Sequence, residues 1–299
     1  MPLRFAVLSR ARHLYSTRRL VAAARARGHA AEVVDFAAAT TAFGGAGPLF
    51  ARARGRDLTG FDVAVGRIAP LYTPVGCGVL RAVAAAGVYC SPTADALALA
   101  RDKVQSLVAL AHAGVPVPRT AAVNDPAELA AVAGELGGYP LVIKGLRGTQ
   151  GEGVALASDD REARRTLADL AARHVGALAQ EYVAETGGAD VRAFVCGPAV
   201  VAAMTRTPAA GEFRSNLHRG GRAEPTTLSA EERAVAVAAA AALGLEVAGV
   251  DLLRAARGPL VLEVNASPGL EGIERATGRD VAGAVVDALA RGRTLPSAP

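Results

Sequence analysis

Two carboxylates and one amide lie on consecutive strand-like segments near the end of the chain. Asp251 belongs to one run of Val and Leu, and Glu263 and Asn265 belong to the next. Residues two apart on a strand share a face, and a hairpin centred near Arg257 would set Asp251 opposite Glu263, with Cβ atoms about 5 Å apart. Two such carboxylates repel each other unless a cation lies between them. Their arrangement predicts a site for Mg²⁺ or Mn²⁺, and a solvated hairpin face is the alternative.

The lysines are the second chemical signal. All but two of the 33 basic residues are arginine, and the exceptions are Lys103 and Lys144. A compact ammonium on a flexible stem suits contact with phosphate oxygens. Lys144 ends a strand-like segment, and the glycine-rich stretch 145–153 leads into another strand, which predicts a flap that closes over a triphosphate. The alternatives are chance surface lysines and an ordinary hairpin, because the stretch lacks the residue order of a P-loop.

Two further segments carry polar residues that suit a nucleotide or a substrate. Glu181 and Tyr182 end a strand, where a hinge can present backbone groups to an adenine, and Asp190 can accept a hydrogen bond from a ribose hydroxyl. The polar, basic loop 212–222 suits capture of a carboxylate or phosphate, since arginine binds either one bidentately. His218 in this loop is a candidate substrate contact rather than a general base. A solvated loop is the alternative.

The elements that must position these residues change along the chain. In the first third, strand-like and helical segments alternate, which predicts a small parallel α/β domain. The strand-like segments there are 3–8, 31–34, 61–65 and 88–90. Helices then frame the buried strand that ends at Lys144, and strands dominate from residue 178 onward. The sequence therefore predicts a mixed α/β protein of more than one unit.

Composition narrows the class of protein. The 299 residues allow two or three domains, and no run approaches the roughly 20 apolar residues that cross a bilayer. The beginning lacks the features of a signal peptide, so we expect a soluble, cytoplasmic protein without membrane partners. Cys77, Cys90 and Cys196 lie far apart, which favours buried thiols over disulfides or zinc. The net charge of +5 favours anionic partners, but the arginines are dispersed and aromatics make up 4%, so direct nucleic-acid binding is not expected.

An ordered set of motifs spans nearly the whole chain. The motifs are residues 14–20, Arg101-Asp102-Lys103, Gly148-Thr149-Gln150-Gly151 after Lys144, Gln180-Glu181-Tyr182, residues 213–221, residues 247–251 and residues 263–272. In this order they resemble an ATP-grasp enzyme and, more narrowly, the RimK family of glutamate ligases. The resemblance implies an α/β (α+β) ATP-grasp fold. Its expected parts are an N-terminal parallel α/β domain (1–98), a central lid subdomain (99–178) and a C-terminal, mostly antiparallel catalytic domain (179–299).

The resemblance also implies a role for each matched residue. ATP would contact Lys103, Lys144, Gly148, Gly151, Glu181, Tyr182, Asp190, Arg214, Ser215 and Asn216. Catalysis would involve Lys144, Arg214 and Asn216, and two Mg²⁺ or Mn²⁺ ions would be held by Asp251, Glu263 and Asn265. Substrate contacts are expected at Arg67, Arg206, His218 and Arg219. The sequence departs from the family beside Arg67 and Arg206, which leaves the acceptor open.

The implied reaction joins a carboxylate to an amine with ATP, through an acyl phosphate. The leading hypothesis adds L-glutamate to a protein C-terminus, as family members do to a small-subunit ribosomal protein. Relatives instead modify an amino-group carrier protein or the glutamyl tail of a cofactor. The expected partners are ATP, L-glutamate and an acidic protein C-terminus, and a homo-oligomer, such as the tetramer of many family members, is expected. Hypotheses of other classes are a non-catalytic ATP-binding sensor and an RNA-associated protein.

Overall fold

The structure is a computed structural model of the chain. It describes residues 1–44, 47–146, 153–209, 212 and 220–294, with no side chains for 47–49. The described strands are β1 (Arg4–Leu8), β2 (Ala30–Val34), β3 (Ala39–Gly44), β4 (Gly47–Ala53), β5 (Arg56–Asp57), β6 (Val63–Gly66), β7 (Tyr89–Ser91), β8 (Thr120–Val123), β9 (Leu141–Gly145), β10 (Val154–Ala157), β11 (Ala177–Glu181), β12 (Asp190–Cys196), β13 (Ala199–Thr207), β14 (Arg222–Pro225), β15 (Val247–Ala255) and β16 (Gly258–Asn265). The described α-helices are α1 (Tyr15–Ala26), α2 (Thr73–Ala85), α3 (Ala94–Arg101), α4 (Lys103–His112), α5 (Leu129–Glu135), α6 (Asp160–Ala172), α7 (Ala230–Ala242), α8 (Glu271–Thr277) and α9 (Val281–Thr294).

The first part of the chain forms the predicted parallel sheet. Its strand order is β2-β1-β6-β7, and each neighbouring pair is parallel. Each of these strands was predicted from sequence to within two residues. The antiparallel ribbon β3-β4-β5 was not predicted, because its strands lack a continuous apolar run and are only partly buried.

Two antiparallel sheets follow, so the α/β (α+β) prediction is confirmed. The central sheet has the order β10-β9-β11-β8, and the last has the order β14-β13-β12-β15-β16. Strand β14 and helix α8 were not predicted from sequence, since both are short. Within the described residues no helix combines the length and the apolar character that crossing a membrane demands.

The buried apolar residues form three clusters, and these clusters do not correspond one to one with the sheets. Residues of the parallel sheet and of the last sheet share two clusters, one around Leu80 and Val250 and the other around Phe5 and Phe194. The central sheet packs with α5 and α6 in a third cluster, whose buried members run from Val123 to Ala179. Helix α4 contributes Leu110 to the first of these clusters rather than to the third. By packing, α4 therefore lies with the first and last sheets, and the predicted domain bounds stay a prediction.

Candidate active site

The hairpin of β15 and β16 sets Asp251 opposite Glu263, as predicted. In the antiparallel register Asp251 pairs with Glu263 and Gly249 pairs with Asn265. Asn265 Nδ2 donates a hydrogen bond to Glu263 Oε1 at 3.0 Å and another to the Gly249 carbonyl at 3.4 Å. The register shifts directly after Asp251, and such bulges re-aim side chains at the edges of sheets. The two carboxylates and the amide therefore stand side by side at the β16 edge of the sheet.

Two arginines hold the carboxylate of Asp251. Arg192 donates to both of its oxygens, from Nη2 at 2.7 Å and from Nε, and Arg206 Nη2 lies 2.9 Å from Asp251 Oδ2. The Asp251 side chain is 1% exposed. Burial acts to raise the pKa of Asp251, but the charges of Arg192 and Arg206 outweigh it and lower the pKa below its ordinary value. Asp251 is therefore held as a fixed anion.

Glu263 has a different environment from its partner. Its side chain is accessible to solvent, yet the protein around it and the charge of Asp251 both raise its pKa. Cationic groups also lie near it. Burial lowers the pKa of Arg101, Lys103 and Lys144, and the negative charge of Glu263 raises the pKa of all three. Glu263 thus lies among positive charges contributed by separate elements of the fold.

Lys144 lies in β9, where the predicted flap begins. Its Nζ donates a hydrogen bond to Gln180 Oε1 at 2.7 Å, and Gln180 Nε2 donates to Thr120 Oγ1 at 2.7 Å. This polar chain crosses β9, β11 and β8, so the central sheet fixes the position of the ammonium. Burial lowers the pKa of Lys144 to about 8; Glu263 opposes this shift and the charge of Lys103 adds to it.

Lys103 reaches the same place from another element. Asp102 caps α4 by accepting hydrogen bonds from two backbone N–H groups, at 2.9 and 3.0 Å, which puts Lys103 in the first turn. Lys103 Nζ donates to the carbonyls of Gly145 at 2.9 Å and Leu146 at 3.2 Å. The structure therefore brings the two lysines together at the start of the flap.

Glu181 ends β11, and its carboxylate is already occupied. Its oxygens accept hydrogen bonds from Arg119 N at 2.7 Å and Arg119 Nε at 3.0 Å, and Arg257 of the β15–β16 turn forms an ion pair with it. The predicted adenine contact of Glu181 and Tyr182 would therefore have to come from the backbone or from the Tyr182 side chain. It stays a prediction.

Asp190 and Arg206 pair with each other. Arg206 Nε and Nη2 donate to the two oxygens of Asp190 at 2.6 and 2.5 Å, and both residues are buried. A ribose contact by Asp190, or a substrate contact by Arg206, would have to use polar groups that this pair leaves available. Both roles stay predictions.

Arg67 lies at the end of β6, beside the loop that follows the acidic strand. Its Nη1 donates a hydrogen bond to the Pro268 carbonyl at 2.8 Å, and Ser267 Oγ donates to the Gly66 carbonyl at 3.0 Å. The predicted substrate residue of the first domain therefore contacts the loop that leaves the Asp251 and Glu263 hairpin. A groove of about 390 Å³ lined by Thr227, Arg254 and Pro259 lies instead at the turn end of that hairpin, away from the two acids.

Several predicted residues lie outside the described residues. They are Gly148, Gly151, Arg214, Ser215, Asn216, His218 and Arg219. Conversely, sequence reasoning assigned no role to Arg192, Gln180 or Arg101. Arg101 and Gln180 belong to motifs quoted above, and that membership could have indicated a role. Arg192 belongs to no such motif, so nothing in the sequence indicated its role.

Known proteins are similar to this chain along almost its full length. A RimK-like ATP-grasp domain model matches residues 100–289, and a RimK PreATP-grasp domain model matches residues 3–97. A probable alpha-L-glutamate ligase of Pseudoalteromonas translucida is 48% identical over 285 residues, which cover 95% of this chain and 94% of that protein. One of Methanococcoides burtonii is 46% identical over 285 residues, with the same coverage of 95% and 94%.

Solved structures show the same fold. The RimK domain ATP-grasp protein of Sphaerobacter thermophilus superposes with a TM-score of 0.70 at 25% identity, covering 96% of this chain and 99% of that one. The ATP-grasp ligase PsnB, complexed with a minimal precursor, gives a TM-score of 0.77 at 25% identity, covering 98% and 99%. Fold, site and matches together define an ATP-grasp ligase, an enzyme that forms carbon–nitrogen bonds. Within that class the chain belongs to the RimK family of alpha-L-glutamate ligases.

Proposed function

We propose that the chain adds L-glutamate to the C-terminal carboxylate of a protein, of the small-subunit ribosomal protein type, and converts ATP to ADP and phosphate. The observation that carries the proposal is that Lys103 and Lys144 lie together at the end of β9, close enough to Glu263 for its charge to act on both ammonium groups. The relatives named as probable alpha-L-glutamate ligases support glutamate as the amine. The binding of a precursor by PsnB supports a peptide chain as the acceptor.

The residues present fit Mg²⁺ or Mn²⁺. Asp251 is an anion, Glu263 stands opposite it, and Asn265 adds an amide oxygen at the same edge, so the site offers the hard oxygen donors that these ions prefer. An ion bound there would have to share the Asp251 carboxylate with Arg192 and Arg206, which already donate to it. In the described part of the chain no three His, Cys, Asp or Glu residues form a metal cluster, so the amide would complete the set. One or two ions bound there would neutralise charge on the phosphates.

The chain's own residues would then organise the reaction. Lys103 and Lys144 bind phosphate oxygens, and Gln180 keeps Lys144 in place. The acceptor carboxylate attacks the γ-phosphorus and ADP leaves; the amine of glutamate then attacks the acyl carbon and phosphate leaves. The predicted contributions at Gly148, Gly151, Arg214, Ser215 and Asn216 would hold the phosphates and the reacting carboxylate, with His218 and Arg219 near the substrate. Closure of the flap would exclude water from the acyl phosphate.

Mass spectrometry tests the proposal. The protein is incubated with Mg²⁺, ATP, L-glutamate and a panel of proteins and peptides with acidic C-termini, including small-subunit ribosomal proteins. We expect mass increments of one glutamyl residue, matched by release of ADP and phosphate, and no increments with an E263Q variant. The absence of increments on every protein and peptide acceptor would overturn the proposal for a protein acceptor.

The other acceptors are separate outcomes of the same assay. Glutamylation of an amino-group carrier protein, or of a cofactor with a glutamyl tail, would replace the ribosomal acceptor and leave the ligase chemistry standing. ATP binding without phosphate release would identify a non-catalytic sensor instead. Retention of RNA without ATP turnover would favour an RNA-associated protein. A cytoplasmic location, a homo-oligomeric or tetrameric state, and the choice and number of metal ions are further parts of the proposal.

A further inference from the structure

Arg101 is a partly buried cation for which neither the predicted roles nor the described contacts account. It ends α3, two residues before Lys103, and its Nη2 donates to the Ile68 carbonyl at 2.9 Å. Its Nε is buried and has no hydrogen-bond partner among the described residues. A buried guanidinium N–H without an acceptor is costly, and such groups in proteins call for a partner.

Arg67 lies beside Arg101. The carbonyl that Arg101 contacts belongs to Ile68, the next residue along the chain from Arg67. Arg67 itself donates to the carbonyl of Pro268. Neither guanidinium forms an ion pair with a carboxylate of the described residues, although arginines elsewhere in the site do so. Two neighbouring cations are therefore bound only to neutral carbonyl groups.

The surroundings make this charge unfavourable without an anion. Burial lowers the pKa of Arg67 to about 10, and the charge of Arg101 acts in the same direction. Burial likewise lowers the pKa of Arg101, and Glu263 opposes it. Both guanidinium groups nevertheless stay charged near neutral pH. An anion close to both groups would relieve their repulsion.

The position of the pair selects the kind of anion. Arg67 follows β6 at the carboxyl edge of the parallel sheet, where α/β folds bind ligands, and Pro268 lies three residues after Asn265. Arg101 precedes Lys103, a proposed phosphate contact, by two residues. A carboxylate gripped by two arginines is a poor nucleophile, so the pair suits a carboxylate that is bound but does not react.

We propose that Arg67 and Arg101 form a subsite for an unreacted carboxylate of the amino acid that supplies the amine. This inference rests on the proposed function, in which that amino acid is L-glutamate. Glutamate brings two carboxylates, one on Cα and one on its side chain, and keeps both when its amine reacts. The subsite fixes one of them, so that the amine faces the acyl carbon, and it rejects amino acids that lack it.

The test compares R101M with R161M, in which an exposed arginine of α6 is replaced. Steady-state rates are measured with L-glutamate, with glutamine, which lacks the side-chain charge, and with isoglutamine, which lacks the α-carboxylate. We expect R101M to raise the KM for glutamate about tenfold or more and to leave the KM for ATP within about twofold. In R101M the preference for glutamate over one of the two amides, measured as a ratio of kcat/KM values, should also fall by a similar factor. The amide for which this ratio falls identifies the carboxylate that the subsite binds. R161M should behave as wild type.

The outcomes separate the subsite from the proposed function. Unchanged KM and unchanged discrimination in an active R101M enzyme overturn the subsite and leave the ligase proposal standing. Wild-type protein that never uses glutamate overturns both. If R101M turns over too slowly, calorimetric titration of glutamate into protein with Mg²⁺ and ADP replaces the rates. Binding lost in R101M, weakened in R101K and kept in R161M supports the subsite, whereas equal affinities overturn it.

Discussion

Arg192 holds both carboxylate oxygens of Asp251, across the β12–β15 pair, and the two residues face each other in the strand register. Arg206, on β13, reaches the same carboxylate while it pairs with Asp190. Asp251 therefore belongs to a buried ionic network as well as to the acidic edge. Among the described residues, its partner Glu263 forms no ion pair with these two arginines. The two acids should consequently respond differently to the same chemical change.

Neutralising each acid should separate their two roles. We expect D251N to abolish ligase activity and also to lower the free energy of unfolding by roughly 3 to 5 kcal/mol, because Arg192 would lose the carboxylate that it holds, although Arg206 keeps its pair with Asp190. E263Q should abolish activity with a stability change of about 0.5 kcal/mol or less, since its side chain is accessible to water. Urea unfolding followed by circular dichroism, together with product assays, gives both quantities. Equal losses of stability in the two variants would contradict the network.

Lys144 should impose an alkaline limit on ATP use. Its pKa is lowered to about 8, chiefly by burial, so in the free enzyme the ammonium loses its proton as the pH rises through that value. The kcat/KM for ATP reports the free enzyme and should fall above about pH 8 as the positive charge disappears. K144R keeps its charge over this range, so the alkaline limb should vanish even if the overall rate is lower. If the fall in kcat/KM above about pH 8 persisted unchanged in K144R, a group other than Lys144 would cause it.

Gln180 should act on ATP through Lys144. Q180L removes the acceptor at 2.7 Å from Nζ, and we expect the KM for ATP to rise by about threefold to tenfold, which corresponds to about 1 kcal/mol, the net contribution of a typical hydrogen bond. T120V breaks only the outer link, between Gln180 and Thr120, and should have a smaller effect. Initial rates at varied ATP measure both. An effect of T120V equal to or larger than that of Q180L would contradict this order.

Gly249 should tolerate no side chain. A Cβ there would lie 2.7 Å from Pro268 Cβ and 3.2 Å from Arg192 Cδ, so the loop after Asn265 or the arginine would have to move. We expect G249A to cost about 1 to 3 kcal/mol of unfolding free energy and to reduce activity. Gly269 offers the matched control, because a Cβ there meets nothing within 4 Å. If G249A matched G269A in stability and rate, the close packing at Gly249 would be refuted.

The sequence was sufficient to predict the acidic pair because local rules determine it. A short turn near Arg257 and the alternation of side chains along a strand set which residue faces Asp251, and the observed register agrees. The parallel strands of the first domain were predictable for a similar reason, since each is a buried apolar run beside a helix.

Other features depend on contacts between distant segments. The approach of Arg192 to Asp251 depends on how β12 and β15 align, and residues 59 apart in sequence have no local rule that sets this alignment. The same holds for Gln180 and Lys144, which lie 36 residues apart. The pairing of Arg206 with Asp190 likewise follows from strand register, and it places inside the protein a side chain that was expected to meet substrate.

The separate core of the central sheet has a mechanical consequence. Lys144 belongs to that sheet, whereas Lys103 starts a helix that packs with the rest of the molecule. A triphosphate bound by both lysines would link the central sheet to the rest of the molecule. Cleavage of the bond to its γ-phosphate would weaken that link. Binding and release of the nucleotide would then limit the rate of turnover, and the products would leave when the central unit opens.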